Sequence, residues 1–279
     1  MAKKEGKFIG LSGTELYYEI VGEGTPVLML HGWGMDHRIM SCCMELVFQK
    51  NKEKFMRIYF DLPGMGKSKA GESIKNSDGM LEAILAFIEK VIPNQKFLLV
   101  GESYGGYLAR ALVQKIDHRI LGLFLICPLV YPGYRAGEVP AKTVLEKDVP
   151  FLESLSEQER VSFEYITIVQ NRRVWNGFKE SVYEAIINQK DNYFLNHVLD
   201  GAFSYDVDHL ENAFAKPCLI LTGRQDTEVG YRDQFKLLDN YPRASFAVLD
   251  KAGHNLQIEQ EDLFVNLASE WLERITTES

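Results

Sequence analysis

Phe97-Leu98-Leu99-Val100-Gly101-Glu102-Ser103-Tyr104-Gly105-Gly106 is the segment from which the rest of the chain can be ordered. Its apolar run ends abruptly at Gly101, and a helical pattern, Tyr107 to Val113, begins almost at once. One serine stands at the reversal, with glycine two residues before it and two after. This is the G-x-S-x-G arrangement on a strand–turn–helix. A turn so sharp brings the incoming strand and the outgoing helix into near contact, which leaves no room for side chains at the flanking positions. The serine hydroxyl is held out of the turn. The backbone N–H groups after it point forward from a helix N-terminus, where the dipole favours negative charge. One turn thereby supplies a nucleophile and half of an oxyanion site.

The alternation of strand and helix recurs along the chain. Residues 7–21 read as two short strands turning at Ser12-Gly13, an antiparallel start to a sheet. Pro26 to Leu30, Arg57 to Phe60, Leu121 to Cys127 and Pro217 to Leu221 are short, mainly apolar runs that suit strands covered on both faces. Ser245 to Leu249 reads as a last strand. Helical segments are predicted over His37 to Gln49, over Gly79 to Val91 with Ser77 or Asp78 as cap, and from the elbow to Ile116. Two more follow, about Tyr231 to Leu238 and Gln260 to Ile275, the last with Leu263, Phe264, Leu267, Trp271 and Leu272 on one side. This rhythm predicts right-handed crossovers and an α/β architecture, a mostly parallel central sheet with helices on both faces.

Between Tyr131 and His209 no buried-strand run appears. Helical stretches lie instead at Leu152–Glu159, Arg160–Gln170, Val174–Ile187 and Tyr193–Leu199, with aromatics throughout, Tyr134, Phe163, Trp175 and Phe178 among them. The chain therefore divides into a first core part (1–130), an inserted helical segment (131–209) and a second core part (210–279). Most of the insertion's aromatics are expected to form its own core, and some to line a pocket.

A chain of 279 residues, 46% of them hydrophobic, is long enough for one large domain with an insertion. The net charge of −8, with no basic run beyond Lys3-Lys4, argues against a nucleic-acid partner. No apolar stretch is long enough to span a bilayer, and the N-terminus lacks an apolar signal region, so a soluble cytoplasmic protein is expected. The cysteines are Cys42, Cys43, Cys127 and Cys218, with no C-x-x-C pair. That spacing excludes zinc and thioredoxin-type motifs and fits small buried thiols in a reducing compartment.

Ser103, Asp226 and His254 each follow the carboxyl end of a predicted parallel strand, where the loops of an open α/β sheet face one crevice. A serine is a weak nucleophile that needs a base, and the base needs a carboxylate to orient it. Asp61 also follows a strand, but its Pro63-Gly64-Met65-Gly66 surroundings assign it to stabilising a turn. His31 is the competing histidine and is expected to shape the loop bearing Trp33. His37, His118, His197 and His209 lie in polar or helical surroundings and read as surface residues. Asp36 is placed at a helix start, and Glu102 is expected to point into polar surroundings behind the serine. Gly66-Lys67-Ser68 imitates the end of a phosphate-binding loop, yet its first glycine position is Asp61, whose carboxylate repels phosphate.

Four motifs together resemble the α/β-hydrolase-fold serine hydrolases over nearly the whole chain. They are His31-Gly32-Trp33-Gly34, Asp61 to Ser68, Gly101 to Gly106, and Gly223-Arg224-Gln225-Asp226 taken with Ala252-Gly253-His254. The resemblance implies that the insertion is a helical cap and that Trp33 and Tyr104 supply the two oxyanion-hole backbone N–H groups. It also implies acyl transfer through Ser103, His254 and Asp226, with no metal or organic cofactor. Serine at the elbow separates the chain from the haloalkane dehalogenases and epoxide hydrolases of the same fold, which use aspartate there. Trp33 stands in the first oxyanion loop where the family's proline iminopeptidases usually have a second glycine and a proline. The His-Gly-Trp-Gly loop resembles small carboxylesterases, including those acting on acyl-carrier methyl esters. The substrate expected from this resemblance is a small to medium, moderately apolar carboxylic ester. Two alternatives stay open: a C–C bond hydrolase acting on a vinylogous diketone, and a fold-sharing small-molecule receptor with weak hydrolysis.

Overall fold

The computed structural model describes residues 5–11, 13–50, 54–132 and 137–278; Lys3, Lys4, Tyr134 and the Ser12 half of the first predicted turn lie outside these. The strands are β1 (Glu5–Leu11), β2 (Thr14–Val21), β3 (Thr25–Leu30), β4 (Phe55–Phe60), β5 (Phe97–Glu102), β6 (Ile120–Ile126), β7 (Cys218–Gly223) and β8 (Ala244–Leu249). They form one sheet in the order β1-β2-β4-β3-β5-β6-β7-β8. The β1–β2 and β2–β4 pairs are antiparallel and every later pair is parallel. The carboxyl ends of β3 to β8 therefore share one edge.

The helices are α1 (Arg38–Val47), α2 (Ser77–Val91), α3 (Tyr104–Ile116), α4 (Val149–Glu153), α5 (Glu157–Ile166), α6 (Arg172–Phe178), α7 (Glu184–Asn188), α8 (Arg232–Phe235), α9 (Leu256–Glu259) and α10 (Glu261–Glu278). Side chains alternate across the central strands. Leu28, Leu30, Leu99, Leu123 and Leu125 face α2 and α3 on one side. Val27, Met29, Val100, Phe124 and Ile126 face α1 and α10 on the other. Both faces are covered, which is why these strands read as continuous apolar runs rather than alternating ones.

Several boundaries differ from the sequence expectation, each for a local reason. Asn76, not Ser77 or Asp78, caps α2: its backbone is extended and its side chain accepts from Gly79 N–H at 3.1 Å. The Ser77 hydroxyl is committed elsewhere, to Tyr104 and Gly201. The predicted helix Leu152–Glu159 is split, because Ser156 and Glu159 form a capping box that starts α5. The helix predicted to Gln170 stops at Ile166, and Val169–Gln170 pairs instead with Glu146–Lys147 in a short parallel ladder. A π turn over Lys179–Tyr183 joins α6 to α7. On α10, Leu263 is exposed, and the buried stripe is Phe264, Ala268, Trp271, Leu272 and Ile275. The insertion's aromatics Phe163, Trp175, Phe178 and Tyr183 stack on one another, but they continue into the sheet's core and do not form a separate one.

His37 is the largest departure. It is buried between two carboxylates, with Nδ1 at 2.7 Å from Asp61 Oδ1 and Nε2 at 3.3 Å from Glu19 Oε1. Burial disfavours its imidazolium, but the bonds to Asp61 and Glu19 outweigh burial and lift its pKa to about 9. A pKa raised on folding contributes stability that is fully present below the unfolded value of 6.5 and lost as pH rises through 9. Urea unfolding should therefore show the wild type losing about 3 kcal/mol over that interval relative to H37Q. Equal pH dependence in the two proteins would show that His37 is not charged in the fold.

Candidate active site

The elbow between β5 and α3 is held by its backbone. Ser103 has φ 52° and ψ −116°, a conformation that L-residues rarely adopt. Its N–H donates to Ile126 O at 3.0 Å, and its carbonyl accepts from Gly106 and Leu129 N–H groups, each at 3.0 Å. The flanking glycines are sterically required. A Cβ on Gly101 would lie 2.4 Å from Gly105 O, and one on Gly105 would lie 2.2 Å from Leu30 O.

The loops after β7 and β8 bring two side chains to this serine. His254 Nε2 is 2.9 Å from Ser103 Oγ, and its Nδ1 is 2.9 Å from Asp226 Oδ2. Asp226 is fully buried, and its Oδ1 accepts the N–H groups of Glu228 (2.8 Å) and Val229 (3.0 Å). A carboxylate at Nδ1 calls for a proton on that nitrogen, which turns the Nε2 lone pair toward the serine hydroxyl. Burial works against a charged His254, but Asp226 foremost, with Glu102 and Glu228, overrides it and raises the pKa to about 9.

The loop after β3 passes directly beside the nucleophile. A Cβ on Gly32 would lie 3.1 Å from Ser103 Cβ. His31 anchors this loop: its buried Nε2 accepts Leu62 N–H at 2.9 Å and its Nδ1 donates to Gly32 O at 2.8 Å. The Trp33 ring packs edge-on against Tyr104, with centroids 5.0 Å apart. Trp33, Tyr104, Ser103 and His254 all line one cavity of about 810 Å³. The insertion covers it with Val161, Tyr165, Ile166, Val182 and Ile186. Among the described residues the wall carries the carboxylates Glu102, Asp200 and Glu228 and no lysine or arginine.

Asp61 lies elsewhere. It accepts the backbone N–H groups of His37 and Lys67, each at 2.8 Å, and so organises the Gly64-to-Ser68 turn around its own carboxylate. A Cβ on Gly66 would stand 2.4 Å from Asp61 Oδ2, which leaves no cradle for a phosphate there. Asp36 accepts Arg38 N–H at 2.9 Å, at the start of α1. Among the described residues two groups have donor atoms close enough to hold a metal, Cys127 with Asp226 and His254, and Asp36 with His37 and Asp61. In both, the histidine is already hydrogen-bonded to the aspartate, and burial pushes the Cys127 thiol well up and keeps it protonated.

One buried glutamate stands where the sequence reading did not expect it, and another escaped that reading. Glu102 sits against His254 rather than behind the serine, with Oε1 at 3.6 Å from Nε2. Glu259, at the end of α9, accepts Ile168 and Val169 N–H from the insertion (2.5 and 3.2 Å) and Gly253 N–H beside His254 (2.6 Å). Arg173 of α6 bonds the Ile258 and Glu259 carbonyls in return, at 3.0 and 2.8 Å. Nothing local in the sequence marks Glu259, because Ile168 and Val169, two of its three partners, are backbone groups far away in the chain. Replacing it by alanine strands three buried donors, and E259A should lose about 3 kcal/mol in urea unfolding. Hydrogen exchange at Ile168, Val169 and Gly253 should accelerate together; unchanged protection at all three would refute the latch.

Comparison with known proteins agrees with this architecture. The chain is 23% identical over 257 residues to the pimeloyl-(acyl-carrier protein) methyl ester esterase of Legionella pneumophila (strain Corby), covering 92% of this chain and 99% of that one. It is 23% identical over 272 residues to the 2-hydroxy-6-oxo-2,4-heptadienoate hydrolase of Pseudomonas putida (strain F1), covering 96% of each. An alpha/beta superfamily hydrolase from Oenococcus oeni PSU-1 superposes with a TM-score of 0.84 at 26% identity, over 94% of this chain and 96% of that one. The sequence model of the alpha/beta hydrolase fold matches residues 25–261, and the chain belongs to that family.

Proposed function

We propose that this chain is a serine hydrolase that cleaves a small to medium, moderately apolar carboxylic ester through an acyl-enzyme on Ser103. The observation that carries this reading is the unbroken hydrogen-bonded series Ser103–His254–Asp226 at the floor of a largely apolar cavity. In the cycle, His254 Nε2 takes the Ser103 proton as Oγ attacks the ester carbonyl. Asp226 holds the imidazole and steadies the imidazolium. The Trp33 and Tyr104 backbone N–H groups receive the oxyanion, each contributing on the order of 3 kcal/mol. The imidazolium passes its proton to the departing alcohol. Water, deprotonated by the same ring, then releases the acid. Every group in the cycle comes from the chain itself, and residues 131–209 act as the cap over the acyl group.

The Legionella relative, named for a methyl ester, supports ester chemistry. The Pseudomonas relative, named for a heptadienoate, favours the C–C bond reading as the second choice. p-Nitrophenyl esters of increasing chain length, assayed beside a vinylogous diketone, separate the two. Ester turnover with a fluorophosphonate label on Ser103 is expected, and S103A should abolish both. Turnover of the diketone alone would transfer the assignment to carbon–carbon cleavage, and an unlabelled Ser103 would leave a receptor.

The acid and the base have their own signatures. D226N should lower kcat by about 10,000-fold, whereas D61N should act on stability. A near-silent D226N beside a dead D61N would reverse that choice. The neutral imidazole is the base, so a raised pKa moves the acid limb upward. kcat/KM should climb with pH, reach half its plateau near 9 and level off above that.

A further inference from the structure

Glu102 closes β5 one residue before Ser103 and is 1% exposed. Its Oε1 lies 3.6 Å from His254 Nε2, the ring nitrogen that faces Ser103, while Asp226 holds Nδ1 on the other side. Its Oε2 is buried without a side-chain hydrogen-bond partner, and the Gly32 backbone N–H lies against the carboxylate. The Gly32 backbone confines that oxygen, since a Cβ there would lie 2.4 Å from it. A buried carboxylate with so little hydrogen bonding is costly unless a nearby charge compensates it. The titratable groups facing Glu102 are the Cys43 thiol from α1, the Cys127 thiol after β6, Asp226 after β7 and His254 after β8. Of these His254 alone can become a cation, and it faces Glu228 as well as Asp226 and Glu102.

We propose that Glu102 is a positioning residue for His254: together with Asp226 it flanks the ring with carboxylates and favours the imidazolium formed when Ser103 gives up its proton. This rests on the reading of His254 as the base of ester cleavage. The 3.6 Å separation is too long for a strong hydrogen bond, so Glu102 does not displace Ser103 from the neutral ring. It acts through charge, and a charge in a buried, water-poor site acts strongly. Burial foremost, opposed by His254 and by the Gly32 N–H and aided by Asp226, pushes Glu102 up to about 7, so its charge changes within the working pH range. The consequence is two-sided. An ionised Glu102 makes His254 a better base and also keeps it protonated to higher pH.

E102Q keeps the shape and removes the charge. In pH profiles of p-nitrophenyl acetate hydrolysis, its acid limb in kcat/KM should move down by about one pH unit. Its plateau kcat should fall several-fold, with KM changed by less than about twofold. E102D keeps a charge and should leave the limb near its wild-type position. A merely structural role would lower activity without moving the limb, and an unmoved limb in E102Q overturns the proposal. Should E102Q fail to fold, NMR titration of the His254 ring in the wild type decides. Two coupled inflections are expected, and a single one overturns the proposal. That titration needs no substrate, so a protein that hydrolyses no ester would refute the ester reading and still test Glu102.

Discussion

At the turn from β5 into α3, the backbone of Gly105 lies so close to the Leu30 carbonyl that a Cβ would stand 2.2 Å from it. This contact sets the distance between two neighbouring parallel strands and the helix that follows one of them. With α3 pinned against the end of β3, the Gly32–Trp33 loop has to pass beside Ser103. The strained serine backbone persists because the surrounding hydrogen bonds from β6 and the Leu129 loop over-determine it. Gly223 repeats the device two strands away, where a Cβ would meet the Gly253 carbonyl at 2.2 Å. The loops carrying Asp226 and His254 are thereby pressed together by main chain alone.

Charge inside the protein follows a related logic. Asp61, Asp226 and Glu259 are buried, and each accepts two or three backbone N–H groups, so each organises a loop through its carboxyl oxygens. Asp61 and Asp226 then add a histidine. The two aspartate–histidine pairs look alike as chemistry. They differ in what the far nitrogen meets, which is Glu19 for His37 and the Ser103 hydroxyl for His254. A pair closed by a second carboxylate cements the fold, and a pair left facing a hydroxyl can move a proton.

That difference explains how much of the molecule could be read from its sequence. Steric rules act over a few residues, so the elbow, the both-sided strands and the strand-end positions of Ser103, Asp226 and His254 were legible. Asp61 was correctly read as a turn residue because the turn is local. His37 was not, because Glu19 and Asp61 reach it from separate strands, and no window around position 37 contains them. Glu259 and the Val169–Gln170 ladder escaped for the same reason. Ser77 was mistaken for a cap since its tertiary partners, Tyr104 and Gly201, are invisible at short range.

The cavity wall bears on the end of a turnover as well as on its chemistry. Among its described residues are the carboxylates Glu102, Asp200 and Glu228, with no lysine or arginine, and His254 is the basic side chain beside them. The proposed ester substrate would enter such a chamber uncharged. On that proposal its acid half, once freed, ionises in water, and the three carboxylates of the wall then repel it. A wall that admits a neutral reactant thus disfavours a charged product everywhere except beside His254.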